Sequence, residues 1–323
     1  MDGELLALGS ALGYSALNIL IKKGLQWSNP GTALFITVVV NNLVFGLGLA
    51  WLWAAGALPL FDWRGVAYFA LSGVAATLVG RAANFETSRR LGAARASLLR
   101  IFAPLFAALI SFLFLGEVFG AANLAGVLLV LAGLILLGLK DLYRSSPHRD
   151  GSIDRDMDAG GRAGEHDRKE AAFPPQEIKP DYLGYFLGII SGLTYGLSFV
   201  FRKLGLIYMP SPITGAAVSS ITALVGNAGW LAFTGGWNKI GAAGRPASVL
   251  FILGGLGGSA AWFFGYQALL TGRTYVVSVV THTELLFTVL LASVFLKAME
   301  RITWHVIASA VLVFAGVVLV RTV

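Results

Sequence analysis

A chain of 323 residues that is 56% hydrophobic and 13% charged, with a mean hydropathy of +0.75, does not read as a soluble domain. Its apolar runs are too long for buried core helices and too continuous for the alternating strands of a spanning barrel, so a helical membrane bundle is expected. The net charge of +7 sits mainly in short connections beside apolar runs, where membrane topology accounts for it without a nucleic-acid partner. Cysteine is absent, which excludes disulfides and cysteine-ligated metal sites, and nothing points to a metal or other cofactor.

The N-terminus, MDGELLALGS, is acidic and lacks the basic region of a signal peptide, so the first apolar run, Gly3–Lys23, is expected to remain as a span. Further spans follow at Thr32–Ala54, Gly65–Ser88, Ala94–Leu115 and Ala121–Leu139. Each is near the roughly 20 apolar residues that cross a hydrocarbon core as a helix. Residues 141–181 differ in kind: both charge signs, Gly and Pro are dense and apolar residues few, the composition of a disordered linker. Five more spans are predicted at Tyr182–Lys203, Ile213–Phe233, Ala247–Leu270, Tyr275–Leu296 and Thr303–Val320.

The two halves, 1–140 and 182–323, match internally. The first span aligns with the sixth at Ser10/Ser191, Tyr14/Tyr195, Lys22/Lys203 and Gly24/Gly205. The closing pair of spans aligns at Glu117/Glu300, Phe112–Leu113/Phe295–Leu296, Val130/Val313 and Ala132–Gly133/Ala315–Gly316. Five spans per half is an odd number, so the second half enters the membrane from the opposite side. The expected fold is an all-α integral membrane protein of ten transmembrane helices in two inverted five-helix repeats. In many secondary transporters of this design the site lies between the halves near the midplane.

The Tyr-containing first helix, the stretch ASLLRIFAPLFAALISFLFLGE and the Gly-rich helix after it resemble the EamA group of the drug/metabolite transporter superfamily. The resemblance covers both halves and leaves out the linker; in the second half LGE has become KAME. It implies ten helices around a central cavity in a multi-pass protein of a bacterial cytoplasmic membrane. It also implies transport of a small organic metabolite or drug, with no substrate named. Orientation is left open: nine Lys and Arg in loops 1–2, 3–4, 7–8 and 9–10 face five on the other side, among them Arg202 and Lys203. That bias places both termini outside, whereas the resemblance suggests both inside.

Ionisable residues within spans are costly, and each is a site candidate. Glu284 lies about nine residues past Tyr275, roughly 13 Å into its helix at 1.5 Å per residue, near the midplane of a core about 30 Å thick. It either binds a proton or a substrate cation, or is a buried acid bonded to a neighbouring helix; His282 and Thr281 lie beside it. Arg81 and Arg100 either line the cavity, where they suit a carboxylate or phosphate, or snorkel to the headgroups. Pro104, four residues past Arg100, is expected to loosen the fourth span. Asn84 and Gln267 occupy equivalent places in the two halves, as ligands or as interhelical glue. Tyr14, Tyr195, Trp262 and Tyr266 either form an aromatic cavity lining or pack as core. Glu117 and Glu300 read as solvated caps of the helices that come after them. Lys22 and Lys203 read as interfacial anchors or gate charges. Gly126 with Gly133, and Ser309 with Gly316, read as close helix packing.

The expected function is a secondary transporter working by alternating access, with amino-acid-like or anionic solutes favoured; any coupling to protons would run through Glu284. No P-loop supports ATP drive, and the first helix lacks the carboxylate that couples small multidrug resistance proteins to protons. A flippase for a lipid-linked metabolite is the alternative. An intramembrane enzyme built on Ser259 and His282 is the remote one, and no enzyme is expected. The partners are the bilayer, a small-molecule substrate and, if transport is coupled, protons; a monomer could suffice, or a dimer form.

Overall fold

The computed structural model describes residues 3–91, 96, 99–118, 120–145, 181–233, 237, 240, 244–295 and 304–321. The expected disorder of the linker concerns residues outside these, except for Asp141–Ser145, which continue a helix, and Asp181; Arg95, Lys239, Lys297, Glu300 and Arg301 also lie outside them. Most of the described residues are helical, with α1 (Gly3–Gly24), α2 (Pro30–Ala54), α3 (Trp63–Gly73), a π-helical segment (Val74–Gly80) and α4 (Arg81–Leu91) in order. They continue through α5 (Ala103–Leu115), α6 (Ala121–Ser145), α7 (Tyr182–Tyr208), α8 (Pro212–Phe233) and α9 (Arg245–Thr271). The last three are α10 (Thr274–His282), α11 (Glu284–Phe295) and α12 (Trp304–Arg321).

Among the described residues seven stretches are long and apolar enough to cross a membrane, and Ala103–Leu115, Ala121–Leu136 and Ile307–Val320 are shorter apolar helices. Large apolar side chains cover the outside, among them Leu47, Trp51, Phe114, Phe233 and Phe314. Only a lipid environment satisfies so much exposed hydrocarbon. The protein is therefore a multi-pass integral membrane protein.

Helix starts obey ordinary capping chemistry. Asn29 accepts the Thr32 N–H with Pro30 at the first turn of α2, and Asp62 and Asp181 cap α3 and α7. The first half packs mainly on the second: α1 on α9, α2 on α8 and α9, α3 on α7 and α8, and α6 on α12. Glycines make these approaches possible. A Cβ at Gly13 would lie 2.8 Å from the Gly257 carbonyl oxygen, and one at Gly126 2.7 Å from that of Gly316. The Gly126/Gly133 and Ser309/Gly316 positions do meet at close range, antiparallel.

Three predicted spans are not single α-helices. The third contains the π-helical segment, and the fourth is interrupted at Ile101–Phe102, just before Pro104 in the first turn of α5. Proline supplies no N–H to the preceding turn and disfavours a helical residue before it. The ninth is interrupted at Thr283, whose hydroxyl donates to the Val280 carbonyl at 2.7 Å. A side chain bonding its own backbone competes there with helix propagation. Where the fourth and ninth spans break, the cavity forms.

Candidate functional site: a cavity between the halves

A cavity of about 470 Å³ lies where α1, α2, the π-segment, α4, α7, α9 and the breaks in the fourth and ninth spans converge. Its lining runs from Arg202 and Trp262 to Leu25, Ala33 and Asn84, at the end of the bundle where the linker emerges, here called the linker end. Arg100 precedes one break, and Glu284 is the first residue after the other. Their side chains form an ion pair, Nη2 to Oε1, at 3.5 Å. The Arg100 guanidinium also lies 5.6 Å over the Tyr195 ring. Glu284 heads α11, where the helix dipole favours a negative group, and Ser15 of α1 donates its hydroxyl to the Glu284 carbonyl at 2.8 Å. The break is thus held by a helix of the other half.

Beside Glu284, His282 Nδ1 lies 2.7 Å from the Ser278 carbonyl. A carbonyl can only accept, so Nδ1 carries the hydrogen, and in the neutral ring Nε2 is left as an acceptor. The Thr281 hydroxyl, also in the lining, has no hydrogen-bond partner among the described residues.

The cavity floor is Arg202. It is 5% exposed, its Nε donates to Ser72 Oγ at 3.2 Å, and its guanidinium lies 5.2–5.3 Å from the rings of Phe199, Trp262 and Tyr266. Guanidiniums pack on aromatic faces in this way while keeping donors free for a carboxylate or phosphate. The sixth span is expected to end at Lys203, one residue past Arg202; α7 instead continues to Tyr208, which puts Arg202 well within the helix.

Lys203, the next residue, likewise lies within α7 and not at its end. Its Nζ donates to the Leu269 and Gly272 carbonyls at 2.6 and 3.1 Å, satisfying the C-terminal end of α9. Across the same turn Glu117 accepts the Thr274 and Tyr275 N–H groups at 2.7 and 3.4 Å. Glu117 therefore caps α10 of the second half and not α6, the next helix in its own half. Together these contacts tie down the end of the bundle opposite the linker, the termini end. Lys22, the counterpart of Lys203, is exposed at the end of α1.

Of the predicted site residues, Glu284, His282, Arg81, Arg100, Asn84, Tyr14, Tyr195 and Trp262 all line this cavity. Gln267 and Tyr266 do not. Tyr266 is fully buried beneath Arg202, its hydroxyl hydrogen-bonded to Ser219 at 2.5 Å, and it supports the floor without forming its surface. Glu86 pairs locally with Arg90 at 2.7 Å. Ser259 and His282 are not brought together as a catalytic pair: Ser259 donates to Asn41 at 2.8 Å and to Gly255, while His282 bonds Ser278. Sequence reasoning missed Arg202, Ser198 and Phe199. Tyr195, Ser198, Phe199 and Arg202 fall at helical spacing on one face of α7, a pattern that marks them.

A crystal structure described only as "Crystal structure of protein" has the same fold: TM-score 0.72 at 17% identity, over 99% of this chain and 96% of that one. No curated protein matches the sequence. The EamA-like transporter family matches residues 1–139 and again 182–322, once in each half. The chain belongs to the EamA-like transporter family, within the drug/metabolite transporter superfamily of membrane transporters.

Proposed function

We propose that the protein is a secondary transporter of a small organic anion or amino-acid-like solute. It works by alternating access through ten spanning helices arranged as two inverted repeats. The observation that carries this reading is the charge of one cavity: among the described residues three guanidiniums, from Arg81, Arg100 and Arg202, line it with a single carboxylate, Glu284. Such an excess favours a solute bearing a carboxylate or phosphate, which guanidiniums bind in bidentate fashion. Tyr14, Tyr195, Phe199 and Trp262 offer flat apolar surface to the rest of the solute.

Arg100 is the group over which substrate and Glu284 compete. A substrate anion that draws Arg100 away leaves the Glu284 carboxylate to carry a proton, which links the two movements. The Lys203 and Glu117 contacts close the termini end, and they are what must release for the cavity to open there. One chain encloses the cavity, so a monomer suffices.

The test is thermal unfolding of purified protein against carboxylates, phosphates, amino acids and organic cations, followed by uptake of the best ligand into proteoliposomes. A ligand at a hundredfold over its Kd stabilises by about 2.7 kcal/mol. Selective stabilisation by anions or amino acids, lost in Arg202→Gln, is expected. Stabilisation by cations alone, undiminished in that variant, would refute the anion reading.

A further inference from the structure

A second space, about 600 Å³ and almost wholly apolar, lies between α2, the π-segment and α8 on the outside of the bundle. Its walls include Phe35, Val38, Leu78 and Leu231, and its outer rim carries Trp230 and Phe233, 62% and 90% exposed. Nearer the termini end α2 and α8 are tied together, Asn42 Nδ2 donating to the Ser220 carbonyl at 3.1 Å and Ser220 Oγ to Asn42 Oδ1 at 3.3 Å. The groove lies on the linker side of that tie, lined from residues 31–38 of α2 and 224–233 of α8.

The groove is not separate from the central cavity. Leu34, Thr77 and Arg81 line both. At this junction Arg81 Nη1 is buried and has no hydrogen-bond partner among the described residues. A buried guanidinium nitrogen left unpaired is expensive, and it marks the place where an acceptor is missing. An apolar channel facing lipid, with a cationic donor at its inner end, is the complement of an amphipathic anion.

We propose that this groove is a lateral portal from the bilayer, and that the transported anion carries an apolar arm that passes through it while the anionic group reaches Arg81. The inference rests on the anion reading of the central cavity and narrows it to solutes that partition into lipid. The chain slides along Leu78 and Phe35, the headgroup pairs with Arg81 at the junction, and Arg100 and Arg202 draw it inward.

The experiment uses full-length protein in nanodiscs and thermal unfolding with octyl phosphate and octanoate, each against inorganic phosphate, acetate and octanol. The groove is plugged with Gly229→Trp, since a Cβ added at Gly229 meets nothing within 4 Å, and the junction is neutralised with Arg81→Gln. Octyl phosphate or octanoate is expected to act at roughly tenfold lower concentration than its headgroup alone, as burial of even two methylenes allows. Gly229→Trp is expected to remove that advantage and spare the response to the bare anion, and Arg81→Gln to weaken the amphiphile response. An advantage undiminished in Gly229→Trp, or an octanol shift equal to that of octyl phosphate, would overturn the portal. Bare anions stabilising without any gain from the chain would also overturn it while leaving the anion reading intact. No response to any anion would remove both.

Discussion

The third helices of the two halves descend from one pattern and now do different work. In the first half the helix is α3, a π-helical segment and α4; in the second it is α9, unbroken over 27 residues. Each extra residue in a π-turn rotates the downstream helix by about 100° relative to an uninterrupted α-helix. Arg81 and Asn84 come after the π-segment and face the cavity, whereas Gln267, the sequence counterpart of Asn84, does not. On α9 the cavity is met by Trp262, and Tyr266 one turn on lies under Arg202. Duplication supplied the scaffold, and a local change of helical register made one copy polar where the other is aromatic.

The largest effect is expected where the halves differ most in charge, at Arg202, whose counterpart in α1 is Ile21. Removing one partner of a buried charged hydrogen bond costs about 2–5 kcal/mol, so Arg202→Ile should weaken anion uptake by more than tenfold in proteoliposomes. Adding Ile21→Arg to that variant sharpens the comparison, since Ile21 also lines the cavity. Partial recovery would mean that the charge matters more than its half of origin.

The second effect lies where the halves did not diverge, at the α6–α12 contact. Overpacking costs about 1–3 kcal/mol, and Gly126→Leu should lower the unfolding temperature accordingly, because its Cβ already falls 2.6 Å from Val320 Cγ2. A neutral result would show that the helices part readily and that their close approach contributes little. A smaller effect is expected at Glu117, which crosses from one half to the other. Loss of a helix cap costs about 1 kcal/mol, so Glu117→Ala should destabilise by that amount, read by thermal melting, and should loosen closure of the termini end.

The smallest concerns Asp181 at the start of the second half. The Gly184 N–H donated to its carboxylate, with Arg90 beside it at 3.3 Å, holds Asp181 below the usual carboxylate range. A depressed value in the folded state means the contribution is present above the ordinary aspartate range and lost as pH falls through the folded value. Asp181→Ala should therefore melt slightly below the wild type at neutral pH, and the gap should close in acid.

The rule that a charge inside a span is a site candidate picked out Glu284, Arg81 and Arg100, which line the cavity, because the cost it rests on is set by the bilayer and not by the fold. The same rule missed Arg202, since ending the sixth span at the first pair of cations discarded the apolar LGLIY just beyond them. The roles of Glu117 and Lys203 were not legible at all: each meets backbone that lies far away in sequence. The π-segment was equally hidden, as nothing in VAATLVG distinguishes it from an α-helix. With it went the facing of Asn84 relative to Gln267.

The excess of guanidiniums over carboxylates in the cavity also has an electrical meaning. Among the described residues three against one gives the empty cavity two positive charges, and on the alternating-access proposal these shift across the field as access passes from one end to the other. Each elementary charge moved through 100 mV is worth about 2.3 kcal/mol. A divalent anion, together with the proton Glu284 takes up, leaves one positive charge, so the loaded protein reorients with about half the electrical work of the empty one. Voltage then acts most on the unloaded return: net uptake by polarised liposomes should respond to potential more strongly than one-for-one exchange.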